Sequence, residues 1–412
     1  MRENPFIRCV ERLPKAICDP ELLAAARGLD ARLRLRCDKV AWDVIAVAGV
    51  LRTAPAEAEA DVTLAAGPAV WDAALAAVPP PRHQGFTALQ LANSDAEVVG
   101  DPLRIAQARA VLERLLECLR DPAPLRPSQP TRDLSGIRGR YVRLVADGPY
   151  DVFYEYAGSG PPVVFLHTAG ADARQYQAVL ADPGLSAHHR LVAFDLPFHG
   201  RSLPPERWDG GAYCMDQARY LGWVIAFLQQ VVAEPAILVG CSMGAAIALV
   251  AAAERPDLLR GVVALEPPLR SPGRRNPFLA HAQVPGGLHN AAYVRGLMSP
   301  ASPEASRRRS AWIYAQGAPG VYAGDLGFYS DEFDGAAIGP RIDATRFPVH
   351  LMTGEYDYSA TPAAGMALSR LIPGSSFHLM PGLGHFPMTE DPDRFLAYFT
   401  PVLADVMRHP GR

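Results

Sequence analysis

The sequence has no apolar run of the roughly 20 residues that a transmembrane helix requires, so a membrane-spanning helix is not expected. It also has no excess charge: the formal net charge is −3 over 412 residues. This balance does not favour nucleic acid or an anionic membrane surface as a partner. The first fifteen residues contain no continuous apolar segment of the kind found in secretory signals. We therefore expect a soluble, cytoplasmic globular protein.

Cysteine is scarce, and its spacing matches neither a disulfide framework nor a zinc site. No C-x-x-C pair occurs, which favours reduced thiols in a cytoplasm. No metal-ligand cluster and no phosphate-binding glycine loop stands out either, so we expect neither a metal nor a cofactor. The six cysteines are Cys9, Cys18, Cys37, Cys118, Cys214 and Cys241.

The length of the chain suggests two domains. In the first, residues 1–125, the alternation of apolar and basic residues over Ala31–Arg36 predicts a strand. Asp101 and Pro102 are an N-cap and a first-turn proline, and they begin an amphipathic helix that runs to Leu119. We predict a small α+β domain with its own core. A proline-rich stretch follows it, and we place a linker at residues 126–135.

Three features of the first domain carry a family resemblance. Asp61–Leu64, Trp71 and Gly100–Leu103 with its leucine-rich helix resemble the sterol-carrier-protein-2-like lipid-binding domain. The resemblance implies an apolar cavity that binds a hydrophobic molecule or helps to present one. The alternative is a structural or dimerising module without a ligand, and a homodimer is therefore included among the expected assemblies.

The second region contains a G-x-S-x-G motif between a strand and a helix. The apolar run Ile237–Val239 leads into Gly240-Cys-Ser242-Met-Gly244, and a small-residue helix follows at once. Such a turn holds the serine backbone in a strained conformation above a helix N-terminus, where developing negative charge is stabilised. Ser242 is therefore predicted to be a nucleophile.

Buried strands alternate with helices through residues 136–412, which predicts a mostly parallel sheet covered on both faces. Together with the motifs, this pattern resembles the α/β-hydrolase fold family. The resemblance implies that His385 is the base and Asp357 the acid, with Glu355 and Glu266 as alternative acids. It also implies a helical lid at about 269–347. The motifs, in order, are His167, Asp195-x-x-x-x-Gly200-x-Ser202, Gly240-x-Ser242-x-Gly244, Gly354-x-x-Asp357 and Gly384-His385.

The same resemblance assigns an oxyanion hole and a pocket. The backbone N–H groups of Met243 and Ala169 are expected to bind the oxyanion. Thr168 stands where the family usually has glycine, so the loop geometry is open and its hydroxyl is a candidate pocket group. Glu266, Trp312 and Tyr293 are the other candidate pocket residues, and His167 and His199 are expected to be structural.

The leading functional prediction is a serine hydrolase that cleaves a carboxylic ester or lactone of a hydrophobic or aromatic small molecule. It would act through an acyl-enzyme, with no metal or cofactor. Hydrolysis of a carbon–carbon bond in a diketone-type substrate, or of a thioester, is the alternative with the same triad. Serine as the nucleophile argues against haloalkane dehalogenase or epoxide hydrolase chemistry, which uses a carboxylate there. A non-catalytic binder of small molecules is the third reading.

Overall fold

The computed structural model describes residues 5–123 and 132–409. The chain divides into two compact units, one of Met1–Ser128 with Phe278–Ala301 and the other of Gln129–Pro277 with Ser302–Arg412. The linker predicted at 126–135 falls largely on residues 124–131, which lie outside the described residues.

The first unit contains a five-stranded sheet in the order β3-β2-β1-β4-β5. Only β1 and β4 are paired in parallel, and the other neighbours are antiparallel. In β1 the buried Leu33 and Leu35 alternate with arginines that lie towards solvent, so the period-2 pattern of the sequence correctly predicted this strand. The strands are β1 (Ala31–Cys37), β2 (Val40–Val47), β3 (Val50–Pro55), β4 (Val62–Ala66) and β5 (Ala96–Gly100).

Helices pack with this sheet around a core of aliphatic side chains and Trp71. The longest helix begins as the sequence predicts: the Asp101 carboxylate accepts hydrogen bonds from the N–H groups of Leu103 and Arg104. The helices before residue 123 are α1 (Pro5–Ala16), α2 (Pro20–Ala25), α3 (Pro68–Ala74), α4 (Phe86–Ala92) and α5 (Pro102–Leu119).

The second unit is built on an eight-stranded sheet in the order β13-β12-β11-β10-β8-β9-β7-β6. The first six strands in this order are parallel, whereas β7 and β6 are antiparallel, which confirms the predicted mostly parallel sheet. The strands are β6 (Arg138–Val145), β7 (Pro149–Ala157), β8 (Pro162–Leu166), β9 (Arg190–Phe194), β10 (Ala236–Cys241), β11 (Leu259–Leu265), β12 (Val349–Gly354) and β13 (Ser376–Met380).

Helices connect the parallel strands, as a parallel sheet requires, and four of them, α10 to α13, lie between β11 and β12. Two π-helical turns, Leu228–Val232 and Gly327–Glu332, extend α8 and α12. None of the described helices is both long and apolar enough to cross a bilayer. The helices are α6 (Gln177–Leu180), α7 (Pro183–Ser186), α8 (Gln217–Phe227), α9 (Met243–Glu254), α10 (Gly286–Leu297), α11 (Glu304–Ala315), α12 (Val321–Leu326), α13 (Gly335–Ile338), α14 (Pro362–Leu371), α15 (Pro387–Glu390) and α16 (Pro392–Arg408).

One helix of the long segment between β11 and β12 belongs to the first unit. Helix α10 packs against α4 and α5. Its buried Arg295 forms ion pairs with Glu117, at 2.7 Å, and with Glu21, at 3.1 Å. The first unit is therefore assembled from two separate stretches of the chain. The sequence analysis had placed all of residues 269–347 in a lid on the second region.

Candidate active site

Ser242 lies at the sharp turn between β10 and α9. Its backbone has φ 56° and ψ −112°, a conformation that side-chain-bearing residues rarely adopt. The flanking glycines are required by space: a Cβ at Gly240 would lie 2.0 Å from the Gly244 oxygen, and one at Gly244 would lie 2.4 Å from the Leu166 oxygen. The turn therefore brings β10 and α9 closer to each other than any other residue would allow.

His385 and Asp357 lie beside this serine. The His385 Nε2 atom is 3.0 Å from the Ser242 Oγ, and the His385 Nδ1 atom is 2.6 Å from the Asp357 Oδ2. The other Asp357 oxygen accepts hydrogen bonds from the N–H groups of Ser359 and Ala360, at 2.7 and 3.0 Å. The predicted nucleophile, base and acid thus form one hydrogen-bonded chain, and all three residues are at least 95% buried.

The sheet explains why residues so distant in sequence meet here. Parallel strands have their carboxyl ends at one edge, and side chains that follow those ends lie side by side. Ser242 follows β10, Glu266 follows β11, Asp357 follows β12 and His385 follows β13. These four strands are consecutive neighbours in the order of the sheet.

The two amides predicted to form the oxyanion hole are free to donate. In the loop after β8, the Thr168 N–H donates to Gln175 Oε1 at 3.0 Å and the Gly170 N–H to Asp325 Oδ2 at 2.7 Å. Between them, the Ala169 N–H has no acceptor in the described part of the chain, and neither does the Met243 N–H at the first position of α9. These are the donors that an anion beside Ser242 would use.

The threonine in place of glycine does not disturb this loop. Thr168 is not among the residues with positive φ, whereas Gly170 has φ 70° and takes the left-handed position. The Thr168 hydroxyl is hydrogen-bonded to Gln175 and to the Tyr314 hydroxyl. Thr168 therefore fixes the loop from inside, with its polar group already occupied.

A buried carboxylate from the segment between β11 and β12 holds the same loop. Asp325 accepts hydrogen bonds from the Gly170 N–H, from the Tyr213 hydroxyl at 2.8 Å and from His199 Nε2 at 2.8 Å. The His199 Nδ1 atom lies 2.9 Å from the Pro197 oxygen, so both ring nitrogens face acceptors. This environment fits a protonated imidazolium. Burial lowers the pKa of His199, but the Asp325 carboxylate outweighs that effect, and the net shift is upward.

The neighbouring His167 is held in the opposite state. Its Nδ1 atom lies 2.9 Å from the Thr168 oxygen, and its Nε2 atom accepts a hydrogen bond from the Leu196 N–H at 3.2 Å. Burial, and then the charge of His199, lower the pKa of His167 to about 4. Both histidines therefore form hydrogen bonds within the loop framework, as the sequence analysis expected, and their pKa values are shifted in opposite directions.

The His199–Asp325 pair predicts a pH-dependent contribution to stability. Because the folded pKa of His199 is raised above the ordinary value near 6.5, this contribution is present below that value and is lost as pH rises through the folded pKa. We expect Asp325→Asn to cost about 3–5 kcal/mol at pH 6, because it leaves a buried charge uncompensated. The cost should be smaller at pH 9, because His199 loses its proton as the pH rises through its raised pKa.

Urea unfolding of both proteins at the two pH values measures this difference. Asp331→Asn is the matched control, because the Asp331–Arg275 pair in the same segment is about half exposed and should contribute at most about 1 kcal/mol. An Asp325→Asn cost that is equal at pH 6 and pH 9 would contradict a charged His199.

The site contains more buried carboxyl groups than the sequence analysis predicted. Glu266 is fully buried at the end of β11, and both of its carboxylate oxygens lie near the Gly354 N–H, at 2.9 and 3.0 Å. Glu390, also fully buried, accepts hydrogen bonds from the Gly384 N–H and from the Ser302 hydroxyl. With Asp357, three carboxyl groups surround the histidine loop. The other alternative acid, Glu355, is exposed and accepts a hydrogen bond from the Gly382 N–H at 2.9 Å.

Two of the predicted pocket residues, Tyr293 and Trp312, have no described contact with the predicted triad. Tyr293 belongs to α10 in the first unit, where the Arg109 guanidinium lies 5.2 Å from its ring centre. Trp312 is 53% exposed, and Arg174 stacks on its ring at 5.2 Å. Neither side chain has a described contact with Ser242, Asp357 or His385.

Tyr329 lies closer to Ser242, and no sequence pattern distinguishes it from the other aromatic residues of the segment. It belongs to the π-helical turn Gly327–Glu332 and is 97% buried. Its hydroxyl has no partner that meets strict hydrogen-bond geometry within the described residues. Burial raises the pKa of Tyr329, and the nearby hydroxyls of Ser242 and Ser271 oppose this shift. Tyr329 thus offers an uncommitted polar group beside Ser242.

The site contains one group of side chains with metal-ligand chemistry. Among the described residues, Glu266, Asp357 and His385 place ligand atoms within 4.8 Å of one another. Both ring nitrogens of His385, however, are engaged by Ser242 and Asp357. Binding a cation here would break the hydrogen-bonded chain, so the arrangement fits a triad and not a metal site.

Comparison with known proteins agrees with the fold of the second unit. A family model described as "Alpha/beta hydrolase family" matches residues 163–398, more than half of the chain. A thermophilic esterase from Thermogutta terrifontis superposes with a TM-score of 0.56 at 20% identity, over 65% of this chain and 99% of that one. At that identity, the likeness shows a shared fold.

Two curated relatives match shorter stretches. The dihydrolipoyllysine-residue acetyltransferase component of an acetoin cleaving system from Cupriavidus necator is 33% identical over 135 residues, which are 33% of this chain and 31% of that protein. A haloalkane dehalogenase from Mycolicibacterium paratuberculosis is 30% identical over 146 residues, which are 35% of this chain and 43% of that protein. The chain thus spans less than half the length of either relative.

Proposed function

The chain belongs to the alpha/beta hydrolase family, and from this premise we propose that it is a serine hydrolase that cleaves a carboxylic ester or lactone of a hydrophobic small molecule. One observation carries the proposal: the continuous hydrogen-bonded chain from the Ser242 hydroxyl through His385 to Asp357, at 3.0 and 2.6 Å. A nucleophile, a base and an orienting acid in this arrangement are what acyl transfer requires.

Each group has a defined task in the proposed reaction. His385 Nε2 takes the proton as Ser242 Oγ attacks the carbonyl carbon, and Asp357 stabilises the imidazolium that forms. The N–H groups of Ala169 and Met243 bind the oxygen that becomes negative. His385 then protonates the departing alcohol, and a water molecule activated by the same histidine hydrolyses the acyl-enzyme.

Ser242 as the nucleophile limits the reactions that are possible within the family. The relatives named above include an acetyltransferase component, a haloalkane dehalogenase and an esterase, so family membership alone does not fix the bond that is cleaved. A serine hydroxyl backed by histidine suits attack on an acyl carbon, and two free amides beside it suit a carbonyl oxygen. Ester or lactone hydrolysis is therefore the proposal that uses every group of the site.

A second candidate uses the same triad on a carbon–carbon bond of a diketone-type substrate, or on a thioester. The Tyr329 hydroxyl is the observation that supports the carbon–carbon reaction. A diketone-type substrate has additional oxygen atoms that a buried donor beside Ser242 could bind. A non-catalytic binder is the weakest candidate, since it would leave the intact triad without a use.

Labelling with a fluorophosphonate probe, followed by mass spectrometry, tests the proposal directly. We expect a single covalent adduct on Ser242. A panel of p-nitrophenyl esters, lactones, thioesters and vinylogous diketones then identifies the bond, with the ester or lactone expected to have the highest kcat/KM. A folded protein that takes up no probe would exclude the serine hydrolase proposal.

A further inference from the structure

Glu266 occupies a position that is unusual for an acidic residue. It follows β11 with its backbone in the left-handed region at φ 50°, and its N–H donates to the Met352 oxygen at 2.8 Å. A residue other than glycine pays about 1–3 kcal/mol for such a backbone, and the surrounding structure must hold it there. The result is a carboxyl group with no solvent access, aimed at the Gly354 N–H.

The group that Glu266 faces is the acid of the triad. Ligand atoms of Glu266, Asp357 and His385 all lie within 4.8 Å of one another. In the described part of the chain, neither Glu266 nor Asp357 forms an ion pair with lysine or arginine. Glu390 adds a third buried carboxyl group, and the buried Cys241 thiol also lies in this field.

Two carboxylates at this distance without a cation cannot both keep a full negative charge in a buried site. The hydrogen bonds decide which one keeps the proton. Asp357 accepts from two backbone amides and from His385, whereas Glu266 faces the single Gly354 amide. The negative charge is better stabilised on Asp357, and the proton is better placed on Glu266.

The ionisation tendencies of the two groups diverge in the same sense. Burial, and then the negative charge of Asp357, raise the pKa of Glu266 well above its usual value. Burial would also raise the pKa of Asp357, but His385 and the hydrogen bond from Glu266 outweigh it, and the net shift is downward. Two neighbouring carboxyl groups with separated ionisation are typical of a shared-proton pair.

We propose that Glu266 is a positioning residue that keeps its proton and donates it in a hydrogen bond to Asp357, so that the pair carries one negative charge next to His385. This inference rests on the proposed function, because it assigns Glu266 its effect through the triad. If Asp357 is removed, its negative charge no longer opposes the ionisation of Glu266, although burial still does. Glu266 then ionises at a lower pH than in the wild type and supplies the charge that the imidazolium needs.

The first test uses Glu266→Gln in the full-length protein. A neutral glutamine keeps one donor for Asp357 and one acceptor for the Gly354 N–H, whereas alanine keeps neither, so we expect kcat/KM of Glu266→Gln to exceed that of Glu266→Ala at least tenfold from pH 6 to 8. Glu355→Gln is the matched control, an acid of the same loop that lies outside the pair. A folded Glu266→Gln protein that loses more than thirtyfold would show that position 266 needs a charge, and would overturn the proposal.

The second test compares Asp357→Ala with the double variant Asp357→Ala, Glu266→Gln. Both share any damage to the Ser359–Ala360 loop, so their difference reports Glu266 alone. We expect the single variant to be labelled by the fluorophosphonate at least tenfold faster, with a rate that rises with pH as Glu266 ionises. Equal rates with the same pH profile would overturn the proposal. Alanine is preferred to asparagine at 357, because an amide N–H facing His385 would impose the wrong tautomer.

A third measurement needs no enzymatic activity. The infrared spectrum of the wild type should contain the carbonyl band of a protonated, buried carboxyl group, and this band should be lost in Glu266→Gln. Its absence from the wild type would overturn the proposal even if the Asp357 variants do not fold. Failure of the proposed function is a separate result, in which the wild type itself takes up no probe on Ser242.

Discussion

Ser242→Ala is expected to lower kcat for the best ester substrate by about 10⁵–10⁶-fold and to abolish labelling by a fluorophosphonate. The alanine retains the Cβ atom, so the backbone at φ 56° is strained to the same degree as in the wild type. Only the hydroxyl and its 3.0 Å hydrogen bond to His385 are lost. We expect the free energy of unfolding to change by no more than about 1.5 kcal/mol.

A large loss of kcat with little change in the free energy of unfolding would show that the Ser242 hydroxyl acts in the reaction itself. Ser369→Ala is the control, since Ser369 is a half-buried serine of α14 whose hydroxyl bonds to Ser375. Its kcat/KM should equal that of the wild type. Turnover by Ser242→Ala above about one thousandth of the wild-type rate would mean that another group attacks the substrate, and the site assignment would be wrong.

The turn at Ser242 was predictable from the sequence because the residues that mark it are adjacent in the chain. Glycines at 240 and 244 indicate a sharp turn without any knowledge of the fold, and the structure gives the reason in the 2.0 and 2.4 Å approaches that a Cβ would make. The order of the motifs then placed Asp357 and His385 at neighbouring strand ends. The strand pattern predicted the parallel sheet, but the roles of Asp357 and His385 came from the resemblance to the α/β-hydrolase family.

The parts that the sequence did not predict depend on distances that no local pattern records. Asp325 bonds to Gly170, 155 positions away, and nothing in its own neighbourhood marks it as a structural anion. Tyr329 was one aromatic residue among many until its hydroxyl was found unpaired beside Ser242. Glu266 was considered as an acid, but its role as a proton donor depends on the charge of Asp357.

The division of the chain was also beyond sequence reasoning. Helix α10 lies within residues 269–347, which the sequence analysis placed in a lid. What assigns it to the first unit is its contact with α5 and the ion pairs of Arg295. The surface that an apolar helix packs against is set by the folded protein, and the hydrophobic periodicity of the sequence does not indicate it.

This division gives the second large prediction: deleting residues 1–123 should destabilise the rest of the protein. Helix α10 would lose its partner helices, and the buried Arg295 would lose both Glu117 and Glu21. Four large buried side chains of this stretch, each contributing about 1.5–3 kcal/mol, would lose part of their cover. The total approaches the stability of a whole domain. The four buried side chains are Tyr293, Val294, Leu297 and Met298.

Three proteins make the test: the full chain, the deletion of residues 1–123, and the same deletion with residues 278–301 replaced by a glycine–serine segment of equal length. Calorimetry and light scattering should show the simple deletion to be aggregated or to melt well below the full chain. The replacement should restore a monodisperse protein with Ser242 reactive to the probe. A simple deletion that melts like the full chain would contradict the shared core.

The replaced protein also decides what the first unit does. If that unit delivers a lipid-like substrate, as its resemblance to sterol-carrier-protein-2-like domains suggests, removing it should lower kcat/KM for long-chain esters more than for short-chain esters. If it is a structural module, both classes should change alike. The simple deletion cannot make this distinction, because exposing α10 would reduce all activities through misfolding. The comparison is meaningful only when both pieces of the first unit are removed together.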